Sequence, residues 1–416
     1  MKYHLLALML VLRVAAQPAL PGTAPLTPRG DFAAEMVEGI NKYLLRATAD
    51  SVAQRSALWN RDYASAERYE RSIAGNRERL RKIIGAVDPR LPVTAVEFKG
   101  STSTPALVAA GKNYKVYAVR WLVLEGVTAE GLLLQPNQTP TARIVAIPDA
   151  DWSPEMLAGL AAGLDPAEQF ARRLVENGCQ VLIPVLIDRK DTWSGIPGMR
   201  MTNQPHREWI YRMSFEVGRH IIGYEVQKVL AAVDWFTREN ATLSAPIGIA
   251  GYGEGGLLAL YTAALDPRVQ ATVVSGYFQS RQHVWEEPIY RDVWGLLCEF
   301  GDAELASLIA PRALIIEASR GPQVDGPPPP TKEREGATPN GRLTTPDLDS
   351  VRAEVKRSAP FYAGLHAAGR QRLVVSGDGR GLPGSDATLE ALLGALGART
   401  MMSPAGTPPG DRRRNF

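Results

Sequence analysis

The stretch Pro246-Ile-Gly-Ile-Ala-Gly-Tyr-Gly-Glu-Gly-Gly-Leu-Leu-Ala-Leu-Tyr-Thr-Ala-Ala264 decides how this chain is read. It opens with a short apolar run, passes through a cluster of glycines and ends rich in leucine and alanine. That order predicts a strand, a sharp turn and a buried helix. A turn of this kind with the pattern G-x-S-x-G holds a serine above the end of a sheet, where it acts as a nucleophile. Here Gly251 and Gly255 take the flanking positions, Tyr252 and Glu254 the variable ones, and the centre is Gly253. The turn is present, and a side chain able to attack is not.

Two other readings compete for the same residues. Gly251, Gly253 and Gly256 also satisfy G-x-G-x-x-G, the dinucleotide fingerprint, which normally lies in the first βαβ unit with an acidic residue about 20 positions on. This copy lies past the middle of the chain, Asp266 is too close, and the strand ending at Ser275 carries no terminal carboxylate. Shifting the turn by one residue makes Glu254 a carboxylate nucleophile, but Tyr252 then occupies a position that must be small. Both alternatives are weaker than the degenerate turn.

Outward from this segment, short apolar runs at Ile144–Ile147, Val181–Ile187, Ala271–Ser275, Ala313–Glu317 and Leu373–Val375 are separated by helical stretches. Continuous apolar strands alternating with helices indicate a parallel sheet covered on both faces. Residues 93–134 alternate as antiparallel entry strands do. Residues 31–92 hold two amphipathic helices, with Phe32, Met36, Ile40 and Leu44 on one and Tyr69, Ile73, Leu80 and Ile84 on the other. They are expected to pack as a layer on the main domain, which runs over 93–399. Two insertions interrupt it: a cap at about 279–307 and a mobile Pro-rich loop at 321–346. Residues 17–30 read as a flexible leader and 400–416 as a disordered tail.

The paired N-terminal helices, the Ile147-Pro-Asp-Ala-Asp151 turn, the glycine elbow and Leu308-Ile-Ala-Pro-Arg312 ahead of a strand together resemble the secreted α/β-hydrolases related to acetyl xylan esterases and dienelactone hydrolases. The likeness spans residues 31–398, most specifically at the elbow and at "LIAPRALII". It implies the α/β-hydrolase fold, an α/β class with a mostly parallel sheet, carrying here an N-terminal helical extension and a cap.

Ester hydrolysis on that fold needs a nucleophile, an oxyanion hole, and a histidine oriented by a carboxylate, in the order Ser, Asp/Glu, His. Gly253 fails the first requirement. The hole would use the Glu254 N–H and the backbone of Asp149 to Trp152. Yet the carboxylates of Asp149, Asp151 and Glu254 would crowd the place where negative charge develops. Glu317 is the candidate acid. The histidine belongs in Ser376–Ser385, which contains none. His283 in the cap is the one histidine expected to face the pocket; His206 lies elsewhere, His220 reads as structural and His366 as a helix-face residue ahead of the last strand. Trp152, Trp193, Trp209, Trp285 and Trp294 suit sugar stacking, although packing is the expected role of most.

A net charge of +3 over 416 residues is too weak to imply nucleic acid. No Cys/His cluster has metal-ligand spacing, no cofactor is implied, and Cys179 and Cys298 are expected to be buried free thiols. Lys2, the apolar run Leu5–Leu12 and Val14-Ala15-Ala16 read as a secretory signal cleaved near Ala16–Gln17, hence a secreted or periplasmic protein with no later membrane span. The sequence therefore predicts an exported, catalytically degenerate hydrolase-fold protein that binds a carbohydrate or ester-like ligand. The alternative is a carboxylic-ester hydrolase using a carboxylate-based mechanism.

Overall fold

The computed structural model describes residues 21–23, 30–192, 204–325, 341–398 and 406. The expected secretory signal Met1–Ala16, most of the 17–30 leader, Trp193, most of the Pro-rich loop and all of the 400–416 tail but residue 406 lie outside the described residues. One sheet of ten strands comprises β1 (Glu97–Phe98), β2 (Leu107–Ala110), β3 (Tyr114–Leu124), β4 (Val127–Pro136), β5 (Arg143–Ile147), β6 (Gln180–Pro184), β7 (Ile247–Tyr252), β8 (Ala271–Ser275), β9 (Ala313–Ala318) and β10 (Gln371–Val375). The helices are α1 (Phe32–Gln54), α2 (Ala66–Ile83), α3 (Pro154–Leu157), α4 (Phe170–Glu176), α5 (His206–Phe215), α6 (Ile221–Glu239), α7 (Glu254–Leu265), α8 (Leu296–Glu299), α9 (Asp302–Ile309), α10 (Leu348–Ala363) and α11 (Asp386–Ala395).

The chain divides into two compact units, residues 1–49 and 50–416. In the first, α1 carries Phe32, Met36, Ile40 and Leu44 at the predicted helical spacing, and all four side chains are exposed. In the second, α2 starts at Ser65, whose hydroxyl accepts the Arg68 N–H at 3.2 Å. Its apolar face buries Tyr69, Ile73 and Leu80, and the Tyr69 hydroxyl donates to the Ser307 carbonyl on α9 at 2.8 Å.

Strands β3, β4 and β6 pair antiparallel, and from β6 onward the order β6-β5-β7-β8-β9-β10 is parallel. The sheet thus grows to one side of β5 through β6 and then to the other through β7. A crevice opens at such a reversal, beyond the carboxyl ends of the two strands. Ile147 of β5 lies opposite Gly251 of β7, so the residues just past each strand, Asp149 and Gly253, are carried together.

Alternate residues of the buried strands feed two cores. Val145 and Ile147 face the core under α2, α6, α7 and α9, while Ile144 and Ala146 face the core under α4 and α11. Arg312, at the end of the "LIAPR" segment, anchors the far end of the sheet. Its guanidinium donates to the carbonyls of Ala263 (2.8 Å), Val269 (2.8 Å), Leu308 (2.9 Å) and Asp266 (3.1 Å), taking up the last carbonyls of α7 and α9. Cys179 is buried as expected, and burial pushes its thiol up to about 12. Cys298, expected to be buried, is exposed: the four-residue α8 turns Leu296 and Glu299 inward and Cys298 outward.

Candidate functional site

The elbow forms where the sequence places it. β7 runs into Gly253, which adopts φ 57° and ψ −117°, and α7 begins at Glu254. Such a conformation costs a residue with a side chain on the order of 1–3 kcal/mol, and glycine takes it freely. Gly255 is needed for a different reason. A Cβ there would overlap the carbonyls of Ile147 and Pro148, so α7 closes directly onto the end of β5.

What fills the apex is the Asp149 carboxylate. A Cβ placed on Gly253 would run into Asp149 Oδ1 and would lie 3.1 Å from its Cγ. Oδ1 accepts the Glu254 N–H at 3.0 Å and Oδ2 accepts the Asp151 N–H at 3.2 Å. These are the backbone donors that the sequence assigns to the oxyanion. The structure brings Asp149, Asp151 and Glu254 together, with the Asp149 carboxylate seated on those donors.

Arginines balance this buried charge. Arg189 Nη1 is 2.6 Å from Asp149 Oδ2 and 2.7 Å from Asp151, Nη2 is 3.1 Å from Asp149 Oδ1 and 3.2 Å from Glu254, and Nε donates to the Tyr290 hydroxyl at 2.8 Å. Arg291 Nε reaches the fully buried Glu254 at 2.8 Å, and its Nη1 reaches Glu287 at 2.8 Å. Arg207, paired bidentately with Glu225 at 2.9 and 3.0 Å, lies 3.6 Å from the other Glu254 oxygen. Burial pushes the Asp149 carboxyl upward, but Arg189 and the two N–H groups outweigh it and hold it down to about 2. Glu254 is likewise lowered, burial being outweighed by Arg291, Arg207 and Arg189.

The expected acid and base positions carry no dyad. Glu317, buried at the end of β9, accepts from Ser275 Oγ (2.5 Å), Ser385 Oγ and Thr388 Oγ1 (2.6 Å each), Gly384 N (2.8 Å) and Ser385 N (2.9 Å). It ties β8 to the start of α11, and its donors among the described residues are all neutral. His283 lies on the exposed rim of the insertion, 3.0 Å from Glu286 Oε1, so its ring is turned to solvent and not to the elbow. The insertion does reach the elbow, through Tyr290 and Arg291. His220 caps α6 by accepting the Ile222 N–H at 3.0 Å, and burial lowers its pKa to about 4. His206 pairs with Asp188 at 2.6 Å. His366, with φ 55°, lies between α10 and β10, ahead of that strand and not in the loop after it.

Sequence reasoning missed Arg189, Arg207, Tyr290 and Arg291. One signal was legible for Arg189: Ile187-Asp-Arg-Lys190 follows β6, whose carboxyl end neighbours that of β5. Beside the closed apex lies a cleft of about 650 Å³, lined by Asp151, Trp152, Glu155, Met156, Asp188 and Lys190. Trp152 stacks on Tyr252 at 4.4 Å between ring centres, while Trp285 and Trp294 are exposed. Among the described residues, no group of three or more His, Cys, Asp or Glu side chains is placed to hold a metal ion, and no helix is long and apolar enough to cross a membrane.

Residues 130–289, which contain β5, β6, the elbow and Arg189, match the dienelactone hydrolase family model. No curated protein matches the chain. A Bacteroides fragilis structure assigned as an acetyl xylan esterase is 16% identical, covers 82% of this chain and 82% of its own, and gives a TM-score of 0.55. A glucuronoyl esterase from Solibacter usitatus (13% identity, 75% and 89% of the two chains, TM-score 0.45) and acetyl xylan esterase 1 from Thermoanaerobacterium sp. (13%, 80% and 91%, TM-score 0.42) are more distant. The first of these likenesses shows the fold. With its mixed, mostly parallel sheet, its strand-elbow-helix turn and a family match that takes in β5 to β8 and the elbow, the chain is an α/β-hydrolase-superfamily protein that resembles the dienelactone hydrolases and acetyl xylan esterases.

Proposed function

We propose that this esterase-like protein is catalytically degenerate and acts outside the cytoplasm by binding a neutral carbohydrate or ester-like ligand in the cleft beside its closed apex. One observation carries the reading: the Glu254 N–H that would stabilise an oxyanion is spent on Asp149. Stabilising developing negative charge with pre-set donors is usually the largest single contribution to acyl transfer. Here those donors already hold a full negative charge. A carboxylate-based mechanism is disfavoured by the same contacts, because Asp149 and Glu254 are held ionised by arginines and make weak bases.

Ligand charge follows from the cleft wall. Asp151, Glu155 and Asp188 stand against Lys190, and Arg189 is engaged by Asp149, Asp151 and Glu254. Among the described residues an anionic sugar meets carboxylates and no free guanidinium, so a neutral ligand stacking on Trp152 fits better.

The test combines turnover of an aryl acetate, labelling by a serine-reactive phosphonate, and tryptophan fluorescence on titration with neutral xylo-oligosaccharides and with their uronic acid counterparts. We expect no turnover, no labelling, and quenching by the neutral sugars that Trp152→Ala abolishes. Gly253→Ser should remain inactive, since its Cβ meets Asp149 and no histidine stands at the end of β10. Turnover with labelling in the wild type overturns the reading, and turnover without labelling favours the carboxylate mechanism.

A further inference from the structure

Four donors surround Asp149, and together they define a ligand. Oδ1 accepts from Glu254 N and Arg189 Nη2, and Oδ2 accepts from Asp151 N and Arg189 Nη1, at 2.6–3.2 Å. Two donors on each oxygen, one of each pair from a single guanidinium fork, is the pattern that matches a planar carboxylate. The donors come from three separate segments: the start of α7, the loop after β5 and the loop after β6. Arg189 is itself fixed by the Tyr290 hydroxyl, so the fork is held in place apart from its occupant. Asp149 is 2% exposed, yet its neighbours Ala150, Asp151 and Trp152 line the cleft.

We infer that the closed apex is a carboxylate-binding site that carries its own ligand, selective for one small monocarboxylate. The inference rests on the reading that this centre does not hydrolyse esters. Room is limited on the elbow side, where Pro322 Cδ lies 3.1 Å from the point a Gly253 Cβ would occupy. A free anion therefore has to reproduce the volume of the side chain it replaces. Asp149→Ala keeps Cβ and lacks only the carboxylate, which formate replaces. Asp149→Gly lacks both, and acetate replaces both, its methyl standing for Cβ.

Thermal unfolding is measured for both variants in sodium formate, acetate, benzoate and chloride at equal ionic strength. Each variant should melt well below the wild type in chloride. Formate should recover most of the loss in Asp149→Ala, and acetate in Asp149→Gly, each saturably, as expected for a ligand bound by the folded state alone. Benzoate should recover neither, and the wild type, already occupied, should respond to none. No recovery by either small carboxylate relative to chloride, recovery by benzoate equal to theirs, or the same recovery in Asp149→Ala/Arg189→Met overturns the inference. If a single variant is obtained only from carboxylate-containing medium, that dependence supports it. If neither single variant is obtained in any medium, Asp149→Asn decides: it fills the cradle with a neutral group and should ignore both anions, and a response to either overturns the inference. Ester turnover by the wild type would remove the functional reading and leave these melting shifts to stand or fall alone.

Discussion

Two buried carboxylate corners lie at the carboxyl ends of the sheet, and they are satisfied in opposite ways. At the β5–β7 end, Asp149 and Glu254 are matched by Arg189, Arg207 and Arg291. At the β9–β10 end, Glu317 is matched by three hydroxyls and two backbone N–H groups, with no cation bonded to it among the described residues. Strand register builds both. Ile147 opposite Gly251 delivers Asp149 to the elbow, and Ser275 opposite Glu317 delivers the hydroxyl to the acid. The first corner depends on charges that no single member can leave without exposing the others. The second depends on a count of neutral donors, each of which contributes modestly.

The largest effect should come from the charged corner. Glu254→Gln keeps the shape and removes the charge that Arg291, Arg207 and Arg189 share. Removing one partner of a buried ion pair costs about 3–5 kcal/mol, because the remaining charge stays desolvated. Denaturant unfolding at pH 7 should show a loss of that size. The sign with pH is fixed by the lowered pKa of Glu254: its contribution is complete above the unfolded value and is lost as pH falls through the folded one. Wild type and variant should therefore converge in strong acid. An equal gap at all pH values would mean that packing, not charge, is what Glu254 supplies.

The neutral corner should be less sensitive. Glu317→Gln turns an amide N–H₂ toward donors that need an acceptor, leaving some of them unpaired at about 1–3 kcal/mol. Its loss should not respond to salt. In combination with Glu254→Gln the two losses should add, since the corners share no hydrogen-bond partner. Strong non-additivity would show that the corners are one network.

This contrast also sets what could be read from residues alone. The strands, the elbow and the missing reagent at Gly253 were legible because apolar runs and glycine spacing are local signals. The crowding of Asp149, Asp151 and Glu254 was legible because Asp149 and Glu254 each lie two residues past a strand end and Asp151 four. The arginines were not, since an isolated Arg in a loop such as Arg189 or Arg291 reads as solvated until the sheet order brings it to an acid. Glu317 was visible as an acid, but its partners Ser385 and Thr388 lie some 70 positions on, in a segment read only for an absent histidine. His283 was placed in the right insertion, and there Tyr290 and Arg291, not the imidazole, contact the residues around the elbow.

Asp292 supplies the control that neither corner offers: a half-buried carboxyl with neither remedy. Its Oδ1 has no hydrogen-bond partner among the described residues, and burial, followed by the nearby Glu287 carboxylate, raises its pKa to about 7. The sign is opposite to that of Glu254. A raised carboxyl contributes fully below its unfolded pKa of 3.8, and that contribution is lost as pH rises through about 7. Asp292→Asn removes the penalty of holding the charge, so it should be the more stable protein at pH 8, by on the order of 0.5–1 kcal/mol. The two should melt together near pH 4, where the wild-type carboxyl is protonated in the fold. Because the Asp292 carbonyl accepts from His220 Nε2 at 3.0 Å through the backbone, the substitution leaves the α6 cap in place. A variant less stable at pH 8 would mean that Asp292 is held by a partner after all, and that burial without arginine or hydroxyl is not what separates it from the two corners.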